Sequence, residues 1–257
     1  MLIAITREVS PALERCELTH LARTPIDLDR ARAQHDAYEQ CLVEAVCPVE
    51  RLTSDGTMPD SVFVEDIAVV FDELALITRP GAASRRAETP AVAEALARYR
   101  PLRYIEWPGT VDGGDVLVAG QHVFAGRSSR TNADGIEQMR HILEPYAYTV
   151  DAVDVTGCLH LKSAVTTVGP DLLLMNRAWT EAARFSGFAI VDVDPAEPSA
   201  ANALGVGDLL IFPTAFPLTQ RRLEARGLQV RTVDVSEFAK AEGGVTCCSL
   251  VFDASVP

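Results

Sequence analysis

Positive charge is scarce in this chain. Lysine and arginine total 23 against 36 aspartates and glutamates, a net charge of −13. Such a surface repels a phosphate backbone, so nucleic acid is excluded as a partner. The balance favours a cationic small molecule only weakly, because acidic charge also keeps an ordinary protein in solution. Long apolar runs are missing too. The longest, such as DIAVVF (66–71) and DLLLM (171–175), are strand-sized, so neither a membrane-spanning helix nor a membrane partner is expected. The opening MLIAITREVS reaches charge too soon for a secretory leader. Aromatic residues make up only 6% of the chain, so valine, leucine, isoleucine and alanine must build the core. None of the six cysteines forms a C-x-x-C pair. Their scatter points to a reduced, cytoplasmic chain, and the usual metal-ligand spacings are absent, so no metal is expected.

What is present is a repeat. DIAVVF and LALIT (74–78) are β-type runs joined by a tight acidic turn. A helix follows, with Thr89 and Pro90 at its start, and then the strand LRYIEW (102–107). The order returns with DVLVAG and HVFAG, the helix TNADGIEQMRHILEPY (131–146) and TVDAVDV. It returns again with SAVTTVG and DLLLMN, a shorter helix at 180–185, and FAIVDVD. A fourth unit runs through NALGVG, DLLIFP, TQRRLEARG and LQVRTVDV. The period is roughly 40–50 residues, the sign of a repeat architecture. The remainder is LIAITR, a long helix at 28–46 and PVERL at one end, and VTCCSLVF at the other. If residues 246–252 pair with residues 2–6, the two ends complete a fifth unit and leave no open edge between first and last. The expected fold is an α/β five-bladed propeller of hairpin–helix–strand (ββαβ) units in one domain, 1–257. An ordinary open α/β sheet is the alternative.

In such a ring, polar residues at strand ends converge from distant parts of the chain. The candidates are Asp60, Glu65 and Asp66 in PDSVFVED, Arg85 and Arg86 in SRRAE, and Asp112 and Asp115 in TVDGGD. Arg130 in SSRTN, His160 in CLHLK, and Cys247 and Cys248 in GGVTCCSL complete them. Each alone has a plain structural use: an aspartate caps a turn, a cysteine fills a small apolar gap. Together they describe a reaction. A thiolate is a strong nucleophile and a histidine can move its protons. Clustered carboxylates call for a cation between them, and separate arginines suit a carboxylate. A substrate cationic at one end and anionic at the other fits, as arginine and its derivatives do. Neighbouring side chains of a strand face opposite ways, so only one of the two cysteines can enter the site.

The segments PDSVFVED, SRR, DGGD, SRTN, HLK, AAN and GGVTCCS resemble the dimethylarginine dimethylaminohydrolase family, across residues 5–252. The resemblance implies the five-bladed pentein fold and hydrolysis of Nω-methylated arginines to citrulline and a methylamine, without cofactor. It makes Cys247 the nucleophile, His160 the general acid and base, and Asp112 the residue that orients His160. Asp60 and Asp66 would hold the guanidinium, and Arg85 and Arg130 the α-carboxylate. Leu18 would cover the substrate as part of a lid, and Glu65 would support the site. Ala241 and Glu242 stand where the family usually has an apolar residue and Asp, in a loop that meets the substrate's α-amino group through backbone carbonyls. In HLK, Lys162 replaces the aspartate that arginine deiminases, the nearest rivals, carry in H-x-D. A non-catalytic propeller is the remote alternative. The partner is a small methylated arginine, and a homodimer is left open.

Overall fold

The chain begins on a strand whose neighbour in the sheet comes from its other end. The computed structural model describes residues 1–45 and 47–255. β1 (Leu2–Arg7) leads to α1 (Leu28–Glu44) and to β2 (Val49–Leu52), which runs parallel to β1. Asp27 caps α1, its carboxylate accepting from the Arg30 N–H at 3.0 Å. The helix expected over 28–46 ends at Glu44 with Ala45 as its cap, and Val46 lies outside the described residues.

The second unit is β3 (Ala68–Val70), β4 (Ala75–Ile77), α2 (Thr89–Leu96) and β5 (Leu102–Tyr104). Thr89 and Pro90 open α2 as expected, because proline lacks the N–H that a first turn leaves unpaired. The third is β6 (Val116–Ala119), β7 (His122–Arg127), α3 (Ala133–Leu143) and β8 (Thr149–Asp154). Asn132 caps α3 through the Gly135 N–H at 2.8 Å. The fourth holds a single helical turn, α4 (Leu161–Ala164), then β9 (Val165–Gly169), β10 (Leu172–Met175) and β11 (Ala189–Asp192). The helix expected at 180–185 shrinks to a 3₁₀ turn, Ala182–Phe185. Its first residues are committed elsewhere: Thr180 bridges Val155, and the Trp179 carbonyl accepts from the Thr156 N–H at 3.0 Å. The fifth is β12 (Leu204–Val206), β13 (Leu209–Pro213), α5 (Pro217–Glu224) and β14 (Gln229–Val233). A turn of helix, α6 (Ser236–Ala239), precedes the last strand, β15 (Leu250–Asp253).

Every sheet has three strands and one scheme. An antiparallel hairpin joins the first two, and the strand after the helix adds in parallel, as in β3–β4–β5. The terminal sheet obeys the same scheme with its hairpin split between the chain ends: β15 pairs antiparallel with β1, from Leu2 opposite Asp253 to Ile5 opposite Leu250. The expected five-unit pattern is therefore present. The terminal strand is shorter than expected, since residues 245–248 form a turn, not a strand. Thr246 gives its N–H to the Asn202 side chain at 3.1 Å instead of to a strand partner, and the Cys247 N–H turns back to the Gly244 carbonyl at 3.2 Å. β15 lies beside β3, β6 beside β9, and β9 beside β12. These strands line an axial cavity of about 320 Å³. The apolar core sits between sheets and outer helices, where Ile136, Met139 and Leu143 of α3 meet Val123 of β7. Burying each such side chain is worth roughly 1.5–3 kcal/mol, so the helices hold the sheets at the angles that bring their ends together.

Candidate active site

The loops entering the inner strands converge on a narrow pocket at one end of the axis. It is lined by Asp60, Asp66, Arg85, Arg130, His160, Ala241, Glu242 and Cys247, together with Glu17, Phe63, Leu159 and Gly243. Eight of the eleven residues expected at the site thus meet there, from Asp60 to Cys247 in sequence.

His160 is the centre. It caps the N-terminus of α4 and is 5% exposed. Its Nε2 lies 3.1 Å from Asp112 Oδ2 and its Nδ1 3.7 Å from Asp66 Oδ1. Burial alone would strip its charge, but the carboxylate of Asp66, the hydrogen bond to Asp112 and the charge of Asp115 outweigh burial and hold its pKa up at about 9. At neutral pH it is an imidazolium. Asp112 is fully buried, lies behind His160 and is held in place by the Gly81 N–H at 2.9 Å. Gly114 fits in front of the ring: a Cβ there would stand 2.6 Å from His160 Nδ1, so DGGD needs its second glycine for close approach. Asp115 works from below. Its carboxylate accepts from Ser128 Oγ (2.6 Å), Thr131 Oγ1 (2.7 Å) and the Leu161 N–H (2.9 Å), and thereby ties the SSRT loop to the start of α4. Burial pushes its pKa up to about 6.

Cys247 is half-buried on the turn, and its Sγ accepts from the Gly244 N–H at 3.3 Å. Burial first, and then the charges of Glu65 and Asp66, push its thiol pKa well up, so the resting group is a thiol. Cys248 is turned into the core cluster of Tyr38, Phe63 and Phe238 and is 1% exposed. The separation of the two thiols expected from strand alternation holds, although a turn produces it.

Asp60 and Asp66 face the pocket in different states. Burial lifts Asp60 to about 6, and its two oxygens accept from the Glu17 N–H at 3.2 Å. For Asp66, burial is outweighed by the charges of His160 and Arg85, and the carboxyl is held below its usual range. Arg85 is buried and has acceptors on all three nitrogens: Asp66, Glu88 and the carbonyls of Asp60 and Phe63. Glu88, one helical turn on, is its counter-ion at 2.9 Å and escaped the sequence reading, although the S-R-R-A-E spacing carried the signal. Arg130 is less committed. It reaches Thr19 Oγ1 at 3.2 Å and stands 4.0 Å from Asp112.

Three expected residues lie off the pocket wall: Asp112 behind His160, Glu65 and Leu18. Glu65 belongs to the axial cavity, where its carboxylate takes the Lys162 ammonium at 2.6 Å and the Thr246 hydroxyl at 2.7 Å. Lys162 thus turns away from the pocket toward the axis. Leu18 packs half-buried against the core cluster that contains Cys16 and Ala241, and its neighbour Glu17 lines the pocket in its place. Asn202, the last residue of AAN, steadies the cysteine turn through the Thr246 N–H and hydroxyl. Donor atoms of Asp66, Asp112 and His160 lie within 4.8 Å of one another, close enough for a divalent cation. A proton on His160 and the Arg85 charge already neutralise that cluster. Among the described residues no helix is long and apolar enough to cross a membrane.

Known proteins are similar to this chain in sequence and in fold. The chain is 38% identical over 236 residues to an N(G),N(G)-dimethylarginine dimethylaminohydrolase of Pseudomonas aeruginosa, across 91% of this chain and 92% of the relative. It is 41% identical over 249 residues to a protein of the same name from Streptomyces coelicolor, across 96% and 95%. A solved structure of a Pseudomonas aeruginosa dimethylarginine dimethylaminohydrolase mutant complexed with citrulline superimposes with a TM-score of 0.92 at 36% identity, covering 97% of this chain and 98% of that one. The N-terminal domain of a cyanobacterial arginine dihydrolase shares the fold, with a TM-score of 0.85 at 18% identity and 98% of both chains covered. Residues 21–251 match the family described as N,N dimethylarginine dimethylhydrolase, eukaryotic, and with kinship of sequence and fold over nearly its whole length the chain belongs to that family.

Proposed function

We propose that the whole chain, 1–257, is one catalytic domain that hydrolyses Nω-methylated L-arginine to L-citrulline and dimethylamine or methylamine. The observation that carries the reading is the imidazolium of His160, buried between Asp66 and Asp112 in the pocket that also holds Cys247. A proton donor pre-charged at neutral pH suits expulsion of an amine. The guanidinium enters between Asp60 and Asp66, and the α-carboxylate is met by Arg130 first, because the nitrogens of Arg85 already have acceptors. Arg85 joins by exchanging one of them. No hydrogen bond among the described residues ends on the carbonyls of Ala241 and Glu242, which leaves both free for an α-ammonium.

The steps balance as follows. Arrival of the substrate cation offsets the carboxylates that hold the thiol proton, and Cys247 releases that proton to water. The thiolate forms an S–C bond to the guanidinium carbon. The C–N bond to dimethylamine breaks as His160 donates its proton to the departing nitrogen. A cationic thiouronium remains on Cys247. Neutral His160 then takes one proton from water, whose oxygen bonds to the same carbon; the C–S bond breaks as the second water proton passes to the departing sulfur, giving citrulline and the free thiol. The carboxylates keep the guanidinium charged and fixed for attack. The six free cysteines support a reducing, cytoplasmic setting.

Arginine deimination is the competing reading, and the sense of Lys162 decides against it. A carboxylate at that position would lose its donors against a methylated nitrogen, at a cost of roughly 1–3 kcal/mol. Lys162 supplies no carboxylate and is tied to Glu65. Citrulline release from asymmetric dimethylarginine, monomethylarginine and arginine tests this. The methylated substrates should lead arginine by at least about tenfold in kcat/KM, roughly 1.4 kcal/mol. Equal or faster turnover of arginine would overturn the assignment.

A further inference from the structure

A strap without regular structure runs from Cys16 to Asp27 and passes over the pocket, with Glu17 in its wall. It is pinned at both ends. The Glu17 N–H bonds to Asp60, Ser84 Oγ bonds to Glu17 Oε1 at 2.6 Å, and the Asp27 N–H bonds to Glu237 at 3.0 Å. Between them Arg23 folds back, donating to the carbonyls of Glu14 and of Cys16, the latter at 2.6 Å, whereas residues 19–21 have no backbone partner among the described residues. Among the described residues, the hydrogen bonds of Thr19, His20 and Leu21 run to two side chains only. The Glu242 carboxylate accepts three successive backbone N–H groups, from Thr19 at 3.0 Å, His20 at 2.5 Å and Leu21 at 2.6 Å. The Arg130 guanidinium donates to the Thr19 hydroxyl oxygen.

Glu242 is also one of two non-glycine residues in the left-handed backbone region among the described residues, at φ 59°. Glycine occupies that region without steric penalty, whereas glutamate needs a compensating interaction to persist there. Its cluster of charge-assisted bonds supplies one. The Glu242 side chain spans from the 241–243 turn to the strap.

We propose that Glu242 is the positioning residue of this strap: its carboxylate latches residues 19–21 over the pocket, and substrate binds to a strap already ordered. The proposal rests on the hydrolase reading for its kinetic consequence, but not for its structural one. An ordered strap spares the substrate the entropy of closing it, so the latch acts on binding more than on chemistry.

The test uses Glu242→Gly, which removes the carboxylate and tolerates φ 59°, so loss of the latch is separated from loss of the fold. Three readouts follow. Amide exchange at Thr19, His20 and Leu21 should accelerate at least about tenfold while amides of β7 keep their protection. Alkylation of Cys247 by iodoacetamide should quicken by a similar factor in the free enzyme. KM for asymmetric dimethylarginine should rise about tenfold with kcat changed by less than about threefold. Glu242→Asp should fall between Gly and the parent in all three. Exchange and alkylation rates equal to the parent's would overturn the latch. A chain inactive on dimethylarginine would overturn the hydrolase reading while exchange still judged the latch.

Discussion

At the scale of single residues, chemistry and burial set the two cysteines apart. Cys247 opens on the pocket and Cys248 lies in the core. Cys247→Ser should abolish citrulline formation with the melting temperature nearly unchanged, because a serine hydroxyl at this site has no means to ionise. Cys248→Ser should keep most of the turnover and lose roughly 1–3 kcal/mol of stability, the cost of a hydroxyl in an apolar site. The low end is expected, since the Gly244 carbonyl, 3.6 Å from Sγ, can accept it. Reversed behaviour of the two variants would move the nucleophile to Cys248. His160 carries a separate signature. Its folded pKa of about 9 lies above the ordinary 6.5, so the stability it contributes is complete below about pH 6.5 and disappears as pH rises through about 9. The shift corresponds to something on the order of 3 kcal/mol. Urea unfolding of the parent and of His160→Gln at pH 6 and pH 9.5 should show a gap that narrows by that order. A gap independent of pH would mean that the imidazole is not held charged. Such residues were legible in the sequence because their chemistry is scarce: five histidines and six cysteines leave few combinations. Glu88 was missed although its spacing from Arg85 was visible, and Asp115 was named as a candidate without its place beneath His160, since nothing in a carboxylate's sequence neighbours tells which residue it will support.

At the scale of elements, the turns matter more than the strands they join. Alternation and helix starts were readable: Thr89–Leu96 and Ala133–Leu143 lie within their expected stretches, and the helix expected over TQRRLEARG starts two residues earlier, at Pro217, and ends at Glu224. The reading failed where tertiary bonds claim the backbone. Residues 180–185 lose their helix to a bridge with Val155, and residues 245–248 leave the strand because Asn202 takes the Thr246 N–H. No local pattern reports a partner 44 residues away. The DGGD turn offers a test of how closely elements approach. Gly114→Ala places a Cβ 2.6 Å from His160 Nδ1 and 2.8 Å from Asp66 Oδ1, so the ring or the turn must shift. A displacement near 1 Å in a catalytic group costs on the order of a hundredfold. We expect kcat to fall by at least that order. Gly120→Ala serves as the control: it has φ 60° and nothing within 4 Å of its Cβ, so it should cost stability, about 1 kcal/mol, and leave kcat alone. Equal kcat for the two variants would show that the DGGD turn does not position His160.

At the scale of the whole molecule, the count of five units was readable because the repeat is periodic, whereas the arrangement of the pocket was not, because its residues come from loops between repeats. The terminal sheet joins the two levels. β15 follows the Cys247 turn closely and pairs with β1, so that turn is anchored by the chain's other end. Around this pairing the Met1 ammonium meets Asp253 at 2.5 Å, Ile5, Leu250 and Phe252 are buried, and Tyr38 Oη of α1 lies 2.6 Å from Ser249 Oγ. Chain ends ordinarily fray, and their amides exchange through local opening at little free energy. Here the hydrogen-bonded amides of residues 2–5 and 250–253 lack that freedom, since opening either strand exposes the core between the first two sheets, where Ile5 and Leu250 pack with Ile67 and Leu96. They should therefore exchange only by global unfolding, with protection matching that of the β7 amides and falling in parallel with them in rising urea. Protection weaker than that of β7 by more than about a hundredfold, roughly 2.7 kcal/mol, would mean that the terminal strands open on their own and that the Cys247 turn is anchored from within its own loop.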